Sequence, residues 1–216
     1  MTIEAAIFDL DGTLLNTLQD IADATNAVLG ALGFAPHPVK AYRFFVGDGI
    51  EALAERVLPP GQREETTIAQ VVSLLKKAFL RRGGKHIKPY DGIPEMVEHF
   101  KACGISLAIL SNKPDEATQI TVDQCLHKSS FDLIIGARST EAKKPDPGQA
   151  LYIARQLSVS PPNILFIGDT HIDMQTARNA QMVAVGVLWG FREADDLIRH
   201  GAQLLVKNPS DLRFLI

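Results

Sequence analysis

The sequence predicts an α/β protein: a Rossmann-like three-layer core on a parallel sheet, with a smaller all-helical cap inserted near its N-terminus. Two patterns lead to this reading. Along most of the chain, short apolar runs alternate with longer amphipathic ones, as expected of strands joined by crossover helices. Residues 17–84 break the rhythm, with helical periodicity and no convincing buried strand. A direct βαβ crossover needs far fewer residues than that.

The first strand is expected at 3–8. Helices of the insertion follow at 18–32, 50–58 and 64–82. Pro59-Pro60-Gly61 divides the last two, because proline removes a helix donor and clashes with the preceding turn. The chain is expected to leave the insertion near Gly83-Gly84. The core then resumes with a helix at 91–103, a strand at 105–110, a helix at 115–125 and a short strand at 133–135. A helix at 147–157, a strand at 164–167, a helix at 173–180 and strands at 183–187 and 204–206 complete it. Residues 1–16 and 85–216 thus form the core, and 17–84 the insertion.

Composition narrows the function classes. A chain of 216 residues is long enough to bury a sizeable core. A net charge of −3 gives no basic face for nucleic acid. Cys103 and Cys125 are the only cysteines, too few for a disulfide scaffold, which favours a reducing compartment. No apolar run approaches the ~18 residues of a membrane span, and Met1-Thr2-Ile3-Glu4 lacks the basic start of a signal peptide. The expectation is a cytoplasmic protein, monomer or homodimer, without a membrane or nucleic-acid partner.

The strongest chemical signal ends the first strand, at Ile7-Phe8-Asp9-Leu10-Asp11-Gly12-Thr13. Carboxylates two apart on an extended chain point the same way, and in a parallel sheet the carboxyl strand ends face the ligand crevice. Two acids there repel unless a cation or a shared proton relieves them. Alone, the pair also suits an Asx-turn closing a strand. Other strand ends strengthen the chemical reading. Ser111-Asn112-Lys113 brings a hydroxyl and an amide able to donate to an oxyanion. Gly168-Asp169-Thr170-His171-Ile172-Asp173 repeats the acid. Lys143-Lys144-Pro145-Asp146-Pro147 sets a lysine before two prolines. Each has an ordinary alternative: helix caps for Ser111 and Asp173, a solvated lysine pair, a loop aspartate. Their joint order is hard to reach by chance.

That order resembles the haloacid dehalogenase-like superfamily of phosphohydrolases over essentially the whole chain. Its first motif corresponds to Asp9, Asp11 and Thr13, its second to Ser111, its third to Lys144 rather than Lys143, and its fourth to Gly168, Asp169 and Asp173. The insertion resembles the family's helical cap. The resemblance implies that Asp9 is the nucleophile, forming an aspartyl-phosphate, and that Asp11 is the general acid and then base. Mg²⁺ would be held by Asp9, the Asp11 carbonyl oxygen and Asp169, supported by Asp173 and Thr13. Ser111, Asn112 and Lys144 would bind the phosphoryl oxygens.

An acid at Asp11 favours phosphomonoester hydrolysis over dehalogenation or a long-lived phosphoenzyme. Asp20 stands where mutase-like members carry histidine, which disfavours a mutase. Asn16 stands where the family commonly has aspartate, at the hinge, and can cap the first cap helix. The cap loop Tyr42-Arg43-Phe44-Phe45-Val46-Gly47-Asp48-Gly49-Ile50 resembles that of phosphoglycolate phosphatases. Gly47 and Gly49 would permit close backbone approach, and Arg43 is the candidate partner for a substrate carboxylate. Trp189-Gly190-Phe191-Arg192 reads first as packing. The expected substrate is a small phosphorylated metabolite, 2-phosphoglycolate above sugar phosphates, nucleotides or pyrophosphate. The rival from another class is a non-catalytic phospho-ligand-binding protein.

Overall fold

The computed structural model describes residues 2–81 and 86–216. The expected exit at Gly83-Gly84, and the 84/85 boundary with it, lies outside the described residues. A six-stranded sheet runs in the order β5-β4-β1-β6-β7-β8, all parallel. Its strands are β1 (Ala5–Phe8), β4 (Ser106–Pro114), β5 (Leu133–Ala137), β6 (Ile164–Gly168), β7 (Val183–Val187) and β8 (Leu204–Val206). β1 lies between β4 and β6, with Ala5 beside Ser106 on one side and Ile164 on the other.

Strand alternation builds the layers. Ala6 and Phe8 of β1 face one apolar cluster with α5 (Ile93–Ala102) and Val122 of α6 (Asp115–Cys125). Ala5 and Ile7 face the other, with α7 (Gly148–Leu157), α8 (His171–Asn179) and Leu197 of α9 (Ala194–Arg199). β1 has no exposed side, as a strand covered on both faces requires.

The inserted helices α1 (Leu18–Ala31), α2 (Tyr42–Phe45), α3 (Ile50–Val57) and α4 (Glu65–Arg81) have an apolar cluster of their own. Ile21, Val28 and Leu29 of α1 meet Leu53 and Val57 of α3 and Val71 and Leu75 of α4. A 3₁₀ turn at Pro60–Gln62 separates α3 from α4, at the prolines that end one helix and allow the next. Tyr42 is fully buried, donates its hydroxyl to Asn26 Oδ1 at 2.7 Å, and is pushed up to about 12 by that burial.

Four features depart from expectation. β4 runs on to Pro114, with a register irregularity against β5 between Leu110 and Pro114, so Ser111, Asn112 and Lys113 belong to a strand. α8 begins at His171 because Thr170 caps it. The short helices α2 and α9 carry too few residues for a periodic signal. Asn16 does not cap α1. It lies in β2 (Leu15–Asn16), which pairs antiparallel with β3 (Lys88–Pro89), Asn16 beside Lys88. A two-stranded ribbon therefore stands where the hinge was expected, and Asp20 on α1 accepts the backbone N–H of His86 next to it. Among the described residues, no helix is long and apolar enough to cross a membrane.

Leu29 is fully buried among the cap helices. Leu29→Ala should lower unfolding free energy by about 2–4 kcal/mol, read as a lower urea midpoint.

Candidate active site

The chain leaves β1 at the centre of the sheet, where successive connections run to opposite sides, the switch point at which open α/β sheets bind ligands. The Asp9 N–H donates to the Ile167 carbonyl of β6 at 2.9 Å, which fixes the first acid to the neighbouring strand. Gly12 then turns the chain with φ +90°, and its N–H reaches the Leu15 carbonyl at 2.9 Å. A Cβ at Gly12 would lie 2.3 Å from Asp169 Oδ2. Only glycine lets this loop close against the acid of β6.

Asp169 is fully buried. The Thr13 hydroxyl donates to one of its oxygens at 2.9 Å, and the Phe191 N–H to the other at 2.8 Å. Asp173 accepts the Thr170 N–H at 3.0 Å and the Thr170 hydroxyl at 2.7 Å on one oxygen, and its own N–H donates back to the Thr170 side chain, which completes a capping box. Its other oxygen accepts Lys144 Nζ at 2.7 Å. Asp173 is thus a helix cap and a charge partner together. Lys144 Nζ also lies 2.9 Å from Asp9 Oδ1, with its side chain 2% exposed. Lys143 turns away to pair with Glu51 of the cap.

Negative charge dominates here. Burial pushes the Asp9 carboxyl up to about 7 against the pull of Lys144, and the charges of Asp173 and Asp11 add to the rise. Burial, then the charges of Asp173 and Asp9, hold the Asp169 carboxyl well above the usual carboxylate range. Burial alone would lower the Lys144 ammonium, but Asp173 and Asp9 outweigh it and hold it above the ordinary lysine range. Carboxylates so crowded call for more positive charge than one lysine supplies. Asp9, Asp169 and Asp173 each offer an oxygen within 4.8 Å of the others. A buried, all-oxygen donor set of this kind fits a hard divalent cation.

A cavity lies between these acids and the cap. The core lines it with Asp9, Asp11, Ser111, Asn112, Lys113 and Pro114. The cap contributes Ile21, Val46, Ile50, Leu53 and Phe79, with Gly47 and Gly49 between them. Ser111 caps no helix. Its Oγ accepts the Lys113 N–H at 3.2 Å, which leaves the hydroxyl proton for a ligand.

Two expectations change here. Asn112 is at the site, but its amide is spent. Nδ2 donates to the Gly47 carbonyl at 3.1 Å and the Lys144 carbonyl at 2.9 Å, while Oδ1 accepts the Lys144 N–H at 2.9 Å. It braces Lys144 and ties down the cap rather than offering its side chain to phosphate. Arg43 does not line the cavity. Its guanidinium donates to the carbonyls of Phe191 at 3.1 Å and Gly190 at 2.9 Å, on the outer seam between cap and core. Of its neighbours, Tyr42 and Phe45 pack in the cap, whereas Phe44 is 68% exposed beside Arg192.

Two contributions were missed in the sequence. The segment read as packing after β7 supports the site directly. Trp189 Nε1 donates to the Thr13 carbonyl at 2.9 Å, Phe191 holds Asp169, and a Cβ at Gly190 would lie 2.2 Å from Asp169 Cβ. A glycine just past a core strand end was the available signal. Lys113 was passed over as well. Its Nζ lies 3.0 and 3.2 Å from the two Asp11 carboxylate oxygens. Its signal was the two-residue spacing from Ser111, which on an extended strand sets both on one side.

Because Arg43 grips core carbonyls, Arg43→Ala should slow turnover of phosphate monoesters with and without a carboxylate by a similar factor, about tenfold, as for lost charged hydrogen bonds. Steady-state kcat/KM on one substrate of each kind checks this.

Comparison with known proteins agrees with this geometry. The family model for haloacid dehalogenase-like hydrolases matches residues 6–187. A phosphoglycolate phosphatase of Psychrobacter arcticus is 32% identical over 203 residues, 91% of this chain and 88% of the relative. An N-acetylmuramic acid 6-phosphate phosphatase of Pseudomonas aeruginosa is 29% identical over 217 residues, 98% of this chain and 94% of the relative. The crystal structure of a candidate phosphoglycolate phosphatase from Lactobacillus delbrueckii subsp. bulgaricus superposes with a TM-score of 0.92 at 30% identity, covering 100% of this chain and 99% of that one. The match spans Asp9, Ser111, Lys144 and Asp169, and the chain belongs to the haloacid dehalogenase-like hydrolase family.

Proposed function

We propose that the chain is a Mg²⁺-dependent phosphatase that hydrolyses a small phosphate monoester through an aspartyl-phosphate, with 2-phosphoglycolate as its substrate. The observation that carries this reading is Asp9, buried and paired with Lys144, beside a second acid, Asp11, that opens onto the same cavity. A pure phosphate binder needs neither a nucleophile nor an acid. Residues 17–84 act as a mobile cap over a core of 1–16 and 85–216.

The chemistry follows from these groups. An Asp9 carboxylate oxygen attacks phosphorus while Asp11 gives its proton to the departing alkoxide, which leaves as the alcohol. Asp11, now ionised, takes a proton from the incoming water as its oxygen attacks the same phosphorus. Inorganic phosphate departs and the Asp9 carboxylate is restored. The Ser111 hydroxyl and the Lys144 ammonium donate to the equatorial oxygens as charge spreads over them. Asp9, Asp169 and the Asp11 carbonyl would hold Mg²⁺, whose charge offsets the repulsion between a carboxylate and a phosphate dianion. Thr13 and the Phe191 N–H keep Asp169 in place, and Asp173 holds Lys144 beside Asp9.

The cavity and the relatives support the substrate reading. Its cap wall is apolar, whereas a hexose or nucleotide wants many polar side chains. Both relatives' names specify phosphates of carboxylic acids. In Mg²⁺ buffer, 2-phosphoglycolate should show a higher kcat/KM than glucose phosphates, mononucleotides, pyrophosphate or N-acetylmuramic acid 6-phosphate. EDTA should abolish turnover, and Mg²⁺ should restore it. A tenfold lead for any competitor would overturn the substrate while leaving the phosphatase.

The two aspartates should separate by magnitude. Asp9→Asn should cost at least ~10⁴-fold in kcat, because covalent catalysis has no substitute here. Asp11→Asn should cost about 10²–10⁴-fold, the usual worth of general acid–base catalysis. Comparable, mild losses would mean the roles are misassigned.

A further inference from the structure

Among the described residues lining the cavity, Lys113 is the one cation. The other basic side chains nearby do not line it. Lys144 is held between Asp9 and Asp173. Arg43 and Lys143 fasten the cap to the core, and Arg192 donates to the Val46 carbonyl at 3.3 Å. An anionic group on the substrate's leaving half would otherwise meet Asp11 and the apolar cap wall.

We propose that Lys113 selects the leaving group: its ammonium binds a carboxylate carried one carbon from the ester oxygen. This rests on the phosphatase reading above and names the residue that reads its substrate. Lys113 Nζ is within 3.2 Å of both Asp11 oxygens, and Asp11 must bring one of them to the ester oxygen. A carboxylate on the adjoining carbon has its own oxygens within roughly 3–4 Å of that ester oxygen, from ordinary bond lengths. It therefore falls within reach of Nζ.

When an Asp11 oxygen turns to the leaving group, it gives up part of its contact with Lys113, and the ammonium has a donor to place. The substrate carboxylate accepts it. The site is dry enough for this to count. The Lys113 side chain is 8% exposed, and the Phe79 ring of the cap lies 5.8 Å from Nζ. An ion pair so shielded is worth far more than one at the surface. An ester with a neutral or apolar leaving group leaves that donor unused, so discrimination arises without any charged residue from the cap.

The test compares 2-phosphoglycolate with ethyl phosphate, which carries a methyl group in place of the carboxylate, in wild type, Lys113→Met and Lys113→Arg. The readout is the ratio of the two kcat/KM values, from which any general damage to Asp11 cancels. The ratio should fall by about 100-fold in Lys113→Met, as for loss of a buried charged partner, chiefly through KM on phosphoglycolate. Lys113→Arg should recover much of it. Equal losses on both substrates would overturn the proposal and leave Lys113 as a partner of Asp11 alone. A wild-type enzyme without preference for phosphoglycolate over ethyl phosphate would overturn the substrate reading itself, which distinguishes the two failures. If Lys113→Met turns over neither ester, calorimetric binding of both on an Asp9→Asn background gives the same ratio. There, Lys113→Met must remove the preference for phosphoglycolate, and an unchanged preference would refute the role.

Discussion

Buried negative charge at the carboxyl ends of β1 and β6 is the constraint around which the molecule is arranged. Asp9, Asp169 and Asp173 lie close enough to share one cation, and among the described residues Lys144 alone bridges two of them. A buried cation between carboxylates is costly to assemble, and removing one member strands the others. The surrounding backbone serves this cluster. Asn112 holds both the N–H and the carbonyl of Lys144. Gly12 and Gly190 bring two loops so near Asp169 that a single added carbon would collide with it. The residual excess of carboxylate over ammonium is what suits the site to a divalent cation and a phosphate together.

The same arrangement couples the cluster to the cap. The seam is made largely of core side chains and cap carbonyls, or the reverse: Asn112 to Gly47, Arg192 to Val46, Arg43 to Gly190 and Phe191. Such contacts ask little of the partner's side chain. Two of them end on residues that also hold the buried acids or their lysine. Phe191 donates to Asp169, and Asn112 fixes Lys144. The seam and the buried acids are thus parts of one hydrogen-bonded structure.

Specificity in this scheme lies inside the core rather than on the cap loop. Lys113 stands two residues beyond Ser111 on one strand, so the group that receives the phosphoryl oxygens and the group that receives the leaving half share a rigid support. A site on a strand holds its geometry better than one on a loop. The cap then contributes shape and dryness, through Ile21, Leu53 and Phe79.

The sequence by itself determined the alternation of strands and helices, the helical insertion and the acids at successive strand ends. Those signals are local: period two, period 3.6, proline breaks, and a carboxylate beside a glycine at the end of an apolar run. The meeting of Asp9, Asp11 and Asp169 was legible for the same reason, since parallel topology brings carboxyl strand ends together whatever the loops do. The tertiary structure decided which partners the polar side chains found. Arg43 could reach a substrate or a core carbonyl, and only the docking of the cap puts it on Gly190 and Phe191, some 147 residues away. Asn112 could donate to phosphate, but Gly47 and Lys144 take its amide. Lys113 carried no role until β4 and β1 paired in register and set it against Asp11, 102 residues distant. Short-range pattern encodes where a residue lies on its own element. The hydrogen bond it makes depends on the element the fold lays across it.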